Sequence, residues 1–214
     1  MIDNNMDFIS IFENKIAKYT GFKYAVCVDC CTNGIIITLD LLNRLNEIDK
    51  GKILEIPKQT YMSIPMSLKI HGWNIKLIDI PWEKSYRIGN TCVFDAATDF
   101  KENLVYDFPE KTSIVCVSFQ QKKRLSLGRG GAILLDDEYK YKILKRMVHD
   151  GRNSLLTQFL EVNINPNDII LGYHCYLEPD KAAQGILKIN QPLPEYKIHT
   201  YKEYPDLTKL NIQI

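Results

Sequence analysis

Lys123 follows Ser118 and Phe119 at the end of a short apolar run, and glycines stand beyond it at 128, 130 and 131. Asp95 closes another apolar run and leads into Ala96, Ala97 and Thr98. Tyr61 comes after Pro57 and Thr60, and Cys31 and Thr32 follow Asp29 and Cys30. Each type has a defined use. A lysine amine can form a Schiff base with an aldehyde. A carboxylate keeps a nearby ring nitrogen protonated. A tyrosine ring can stack on a flat heterocycle. A helix N-terminus offers free amides to a phosphate. A phosphorylated, cationic aromatic aldehyde would use all four, which is the requirement of a pyridoxal phosphate site. Each residue alone has a plainer reading. Asp95 and Thr32 could be simple caps. Tyr61 could be core or rim. Lys123, among Lys122, Arg124 and Arg129, could be part of a solvated basic loop. The glycines could serve only a turn. The order and spacing of the set carry the weight.

Such residues need elements that bring them to one rim. Short apolar runs predict strands at 25–28, 53–56, 74–80, 91–95, 114–119 and 132–135. Helices are expected near 8–20, closed by Gly21, and from Thr32, as cap, to Asn46. Others are expected over 60–71, interrupted by Pro65, over 137–149 and over 178–189. Alternation of buried strands with helices implies an α/β fold: three layers, a mostly parallel central sheet flanked by helices. In such folds ligands bind at the carboxyl ends of the strands, and the candidate residues follow those ends.

The chain has 214 residues, 27 Lys plus Arg against 26 Asp plus Glu, and a net charge of +1. That balance gives no reason to expect nucleic acid or a membrane surface as partner. The first ten residues lack the order of a secretory signal, and no apolar run is long enough to span a bilayer. Six cysteines, several inside apolar runs, read as buried thiols of a reducing cytoplasm. Cys27, Cys30 and Cys31 have no second pair at zinc spacing, so no metal is expected. Composition shifts near Pro192, and residues 192–214 read as an extended tail packed on the surface or on a partner subunit.

Taken together, the residues resemble the DegT/DnrJ/StrS-type sugar aminotransferases, fold type I pyridoxal phosphate enzymes. The match includes Phe12-Glu13, Ala17, Tyr19, Gly21 and Lys23-Tyr24-Ala25-Val26, then Cys30-Cys31-Thr32 where Ser-Gly-Thr is usual. It continues through Pro57, Thr60-Tyr61, His71-Gly72 and Asp95-Ala96-Ala97. Ser118-Phe119, Lys123 and the glycines at 128, 130 and 131 are its most specific part, and it runs on through 149–152, 172–173 and 182–185. It covers about Phe12 to Asn190.

The resemblance implies roles. Lys123 would carry the cofactor as a Schiff base and shuttle a proton, and Asp95 would pair with the pyridine nitrogen. Tyr61 would stack on the ring. Ser118, with the backbone of Cys31 and Thr32, would hold the phosphate. Thr98 stands where Gln or His usually lies near the ring oxygen. His174 stands where an Asn often reaches the partner subunit's phosphate. An amino acid, commonly glutamate, would leave its amine on the cofactor for a nucleotide-linked keto sugar, across a homodimer with a shared site. The resemblance also implies a large domain over 1–191, with the family's small C-terminal domain absent and 192–214 an extension. Cys31 replaces a glycine, Arg129 a glutamate and Tyr176 an arginine. Two alternatives stay open: a non-catalytic or regulatory protein on this fold, and another pyridoxal phosphate reaction, such as dehydration or elimination. Relatives that deoxygenate sugars have in some cases lost the lysine, which is present here.

Overall fold

The structure, a computed structural model, describes residues 5–152, 169–195, 197 and 199–210. In chain order the elements are α1 (Asn5–Thr20), β1 (Tyr24–Val28), α2 (Cys31–Arg44), β2 (Leu54–Pro57), α3 (Ser63–Ile70) and β3 (Ile75–Ile78). There follow β4 (Tyr86–Arg87), β5 (Val93–Asp95), β6 (Ile114–Ser118), β7 (Gly131–Leu135), α4 (Glu138–Met147) and α5 (Pro179–Ile189).

Five strands form one sheet in the order β1-β7-β6-β5-β4, and β2 and β3 form a parallel pair. β6 and β7 are buried at every position, which is why they read as unbroken apolar runs. β5 and β6 are parallel, whereas β7 runs against both β1 and β6, so β1, β5 and β6 share one direction. The reversal of β7 has a simple cause. The loop from β6 to β7 contains no helix, and a helix-free return of that length favours antiparallel pairing. β4 is also antiparallel, to β5.

The sheet separates two apolar layers. On one side α2 contributes Ile35, Ile36, Leu39 and Leu42, packed with Leu144 and Met147 of α4 and Ile64 and Leu68 of α3. On the other, Phe12 and Ile16 of α1 pack with Ala182 of α5, Phe100 and Phe119. Fully burying one such side chain stabilises by roughly 1.5–3 kcal/mol, so these two layers hold the sheet in place. The helix-flanked central sheet expected from the sequence is therefore present, but it is mixed and not mostly parallel: of its four pairings only β5–β6 is parallel, because β7 returns without a helix and β4 is a short antiparallel edge.

The local starts and stops differ from expectation in one place that matters. α2 is capped by Cys30, whose Sγ accepts from the Asn33 amide at 3.5 Å. Thr32 lies inside the first turn instead of capping it, because the helix already begins at Cys31. Pro65 falls in the first turn of α3, where a missing N–H costs little.

The described part of the tail folds back on the chain itself. The Leu207 amide donates to the Lys58 carbonyl at 2.9 Å, and Lys58 Nζ lies 3.4 Å from Asp206 and 3.0 Å from Asp79. Leu207 is buried, and Tyr204 packs on Trp82 with ring centroids 5.4 Å apart. Residues 196, 198 and 211–214 of that expected tail lie outside the described residues. Among the described residues no helix is long and apolar enough to cross a membrane, and no His, Cys, Asp or Glu cluster is arranged for a metal.

Candidate active site

Three strand ends deliver the chemistry. β5 ends in Asp95, β6 ends in Ser118, and β1 leads through Asp29 and Cys30 into α2. Asp95 is buried, and its carboxylate is held on two sides. Oδ1 accepts from the Ala97 amide at 2.9 Å, and Oδ2 accepts from the Tyr86 hydroxyl at 2.8 Å. Tyr86 has thereby used its proton, so at 2.6 Å its oxygen accepts from Thr60 Oγ1. Cys31 Sγ lies 4.0 Å from Asp95 Oδ1.

Lys123 is placed by the loop between β6 and β7. The Phe119 amide donates to Gly130 O at 2.9 Å, Leu127 N to Phe119 O at 2.8 Å, and Gln121 N to Gly128 O at 3.1 Å. The return turn needs glycine: φ is +82° at Gly128 and +140° at Gly130. A Cβ at Gly130 would also stand 3.0 Å from Leu177 Cδ1. Among the described residues, no hydrogen bond ties the Lys123 amine.

Two helix starts converge on the same cleft. Thr32 Oγ1 of α2 and Ser63 Oγ of α3 lie 2.7 Å apart. Asn33 Nδ2 donates to Asp29 Oδ1 at 2.8 Å, and Arg129 reaches Asp29 Oδ2 at 2.8 Å, tying the glycine turn to the end of β1. Cys31, Thr32, Tyr61, Asp95, Ser118 and Lys123 all line this cleft of about 480 Å³. Tyr61 is more than half exposed, its ring a wall of the cleft and not part of the core.

Two expected residues stand elsewhere. Thr98 is buried behind Asp95, and its hydroxyl donates to the Lys84 carbonyl at 2.7 Å. That bond commits it to the backbone away from the cleft. His174 lines a separate concavity of about 260 Å³ with Arg129 and Lys181, and its Nδ1 lies 3.1 Å from Asp150. It is largely exposed, because it sits in a loop on the outer side of the glycine turn. Sequence reasoning missed Tyr86, the second support of Asp95. Nothing in its local spacing marks it; only the pairing of β4 with β5 sets it opposite Asp95.

Burial sets the electrostatics. It lowers the Lys123 pKa, against the opposing pull of Asp95 and Cys31. It raises that of Asp95, opposed by the Ala97 amide, Tyr86 and Lys123. It raises the Cys31 thiol well above its usual range, with Asp95 adding to the effect. Cys31 is thus held neutral. The cleft offers an amine that is easier to deprotonate than an ordinary lysine, a fixed carboxylate, an exposed aromatic face, and helix amides with hydroxyls at one end. Nucleophilic attack by an amine on a carbonyl needs the first of these.

No protein-family model matches the sequence, and no curated protein does either. Solved structures do match in fold. The chain superposes on 3-amino-5-hydroxybenzoic acid synthase with a TM-score of 0.63 at 17% identity, covering 86% of this chain and 56% of that one. For the E. coli GDP-4-keto-6-deoxy-D-mannose-3-dehydratase with bound hydrated PLP the values are 0.62 and 16%, over 86% and 60%. For a DegT DnrJ EryC1 StrS aminotransferase from Brucella abortus they are 0.60 and 14%, over 86% and 58%. The fold is that of the fold type I enzymes that the sequence resembles. The chain spans less than two thirds of the length of these structures.

Proposed function

We propose that the chain is a pyridoxal phosphate-dependent aminotransferase that moves an amino group from an amino acid, glutamate, to the keto group of a nucleotide-linked sugar. The convergence of Lys123 and Asp95 on one cleft, with the start of α2 also lining it, carries this reading. The donor set fits the cofactor. The α2 amides and the Ser118 hydroxyl suit a phosphate, and Asp95 suits a protonated ring nitrogen. Cys31, which stands in place of glycine, has its Sγ near Asp95. Neighbours in fold include an aminotransferase and a sugar dehydratase with hydrated PLP, in keeping with a sugar-modifying pyridoxal phosphate enzyme.

When bound, the cofactor supplies an electron sink and a carrier for the amino group. The chain's own residues do the rest. Lys123, depressed by burial, presents a free amine and takes and returns a proton at Nζ. Asp95, held by Tyr86 and the Ala97 amide, would set its charge against the ring nitrogen. Tyr61, exposed in the wall of the cleft, would stack on one ring face. Thr98 supports the segment after Asp95 from behind. His174, facing outward, is suited to reach a neighbouring copy's phosphate in a homodimer; sedimentation of the purified protein at twice the chain mass is the expected result. Retention of Lys123 in the cleft favours amino transfer over the dehydration reading.

The test is an absorption spectrum with added pyridoxal phosphate, then borohydride reduction and peptide mapping. A visible band trapped as a covalent adduct on Lys123 is the expected result, and Lys123→Ala should abolish both. A colourless protein with no adduct would sink the reading in favour of a binding or regulatory role. Asp95→Asn should keep some cofactor binding while cutting amino transfer by about 100-fold or more, the scale of losing a main electrostatic contact.

A further inference from the structure

We propose that Tyr86 is a positioning residue of this site, fixing the rotation and charge of the Asp95 carboxylate through its hydroxyl, with Thr60 behind it. A carboxylate has two oxygens and about four acceptor directions, and a ligand in the cleft needs them fixed. The Ala97 amide orients Oδ1 and Tyr86 orients Oδ2, each within 2.9 Å. The Tyr86 hydroxyl is itself fixed, because Thr60 Oγ1 lies 2.6 Å away. The ring cannot swing freely, since Trp82 packs on it at 5.2 Å between centroids.

The charged and titratable groups around Asp95 come from several elements. Cys31 faces it from α2, Cys116 from β6, Lys123 from the loop after β6, and Tyr86 from β4. Burial holds Cys31, Cys116 and Tyr86 in their neutral forms. Lys123 is therefore the one cation in this set, and burial weakens its charge. Hydrogen bonds to the ionised carboxylate must do much of the work of keeping it ionised, and Tyr86 supplies the side-chain share.

The inference rests on the proposed role of Asp95, but its test separates the two. Carboxyl carbon NMR of the aspartate-labelled protein, with the Asp95 signal assigned from Asp95→Asn, follows its titration without cofactor. Tyr86→Phe keeps the ring packing and removes only the hydroxyl. Its Asp95 midpoint should rise by about one pH unit, the size of one hydrogen bond to a charged group. Thr60→Val should give a smaller rise in the same direction, and it decides the matter if Tyr86→Phe does not fold. With pyridoxal phosphate present, Tyr86→Phe should bind roughly tenfold more weakly, with the reduced adduct still on Lys123. Unchanged midpoints in both variants would overturn the positioning role. Absence of an adduct in the unsubstituted protein would overturn the cofactor reading and leave the titration result standing.

Discussion

Lys123 and Asp95 push on each other's charge in opposite senses from burial. Asp95 raises the pKa that burial lowers at Lys123, so removing that carboxylate should lower it further. The rate at which Lys123 condenses with free pyridoxal should therefore rise at a lower pH in Asp95→Asn than in the unsubstituted protein. A midpoint that moves upward would contradict the pairing. A second residue carries a pH signature for stability. His149 is buried, its ring lies parallel to Tyr176 at 5.2 Å, and among the described residues its Nε2 has no partner. Burial pushes its pKa down to about 4. A group whose folded pKa is depressed binds protons more readily when unfolded. The stability it contributes is present above about pH 6.5 and is lost as pH falls towards 4. The full loss is roughly 3 kcal/mol. His149→Phe keeps the stack and should flatten the fall in Tm between pH 6.5 and 4; an unchanged pH profile would show that another group controls it.

Helix packing and the C-terminal strap extend the argument to whole elements. α5 approaches α1 so closely that a Cβ at Gly185 would lie 2.3 Å from the Phe12 ring. Gly185→Ala gains helix propensity but overpacks a buried ring, so a net loss of about 1–3 kcal/mol is expected in denaturant unfolding. The strap holds the loop after β2 through Leu207 and Lys58. Leu207→Ala should speed hydrogen exchange at the Leu207 amide before the core strands respond. Much of this scale could be read in the sequence. Val115, Val117, Ile133 and Leu134 sit in strands buried on both faces, and such runs declare themselves. β4 did not, because two residues carry no periodicity. The true cap of α2 was masked by Thr32, a far better capping type than the Cys30 thiol that occupies the position. Six residues that line the candidate cleft were legible from spacing to the strand ends. Tyr86 was not, since only strand pairing brings it to Asp95.

At the scale of the whole molecule, the apolar layer beneath α1 and α5 meets the site through Phe119. It is fully buried, follows Ser118, and packs on Phe12 at 5.7 Å and Phe100 at 5.4 Å. Phe119→Ala should cost about 3–5 kcal/mol and also weaken cofactor binding, because the loop carrying Lys123 starts at this ring. Loss of stability with unchanged binding would show that loop and core are independent. The strap bears on how the molecule is made. β1 finds its ladder partner only when β7 arrives, and the Lys58 carbonyl waits for the Leu207 amide. A chain emerging from the ribosome has the lysine, the carboxylate and both helix starts in hand before the strap adds its last ties to the loop bearing Tyr61. The wall of the cleft receives its last ties after its floor is laid, so a stalled or clipped nascent chain would hold the amine in a cleft whose Tyr61 side is less firmly fastened.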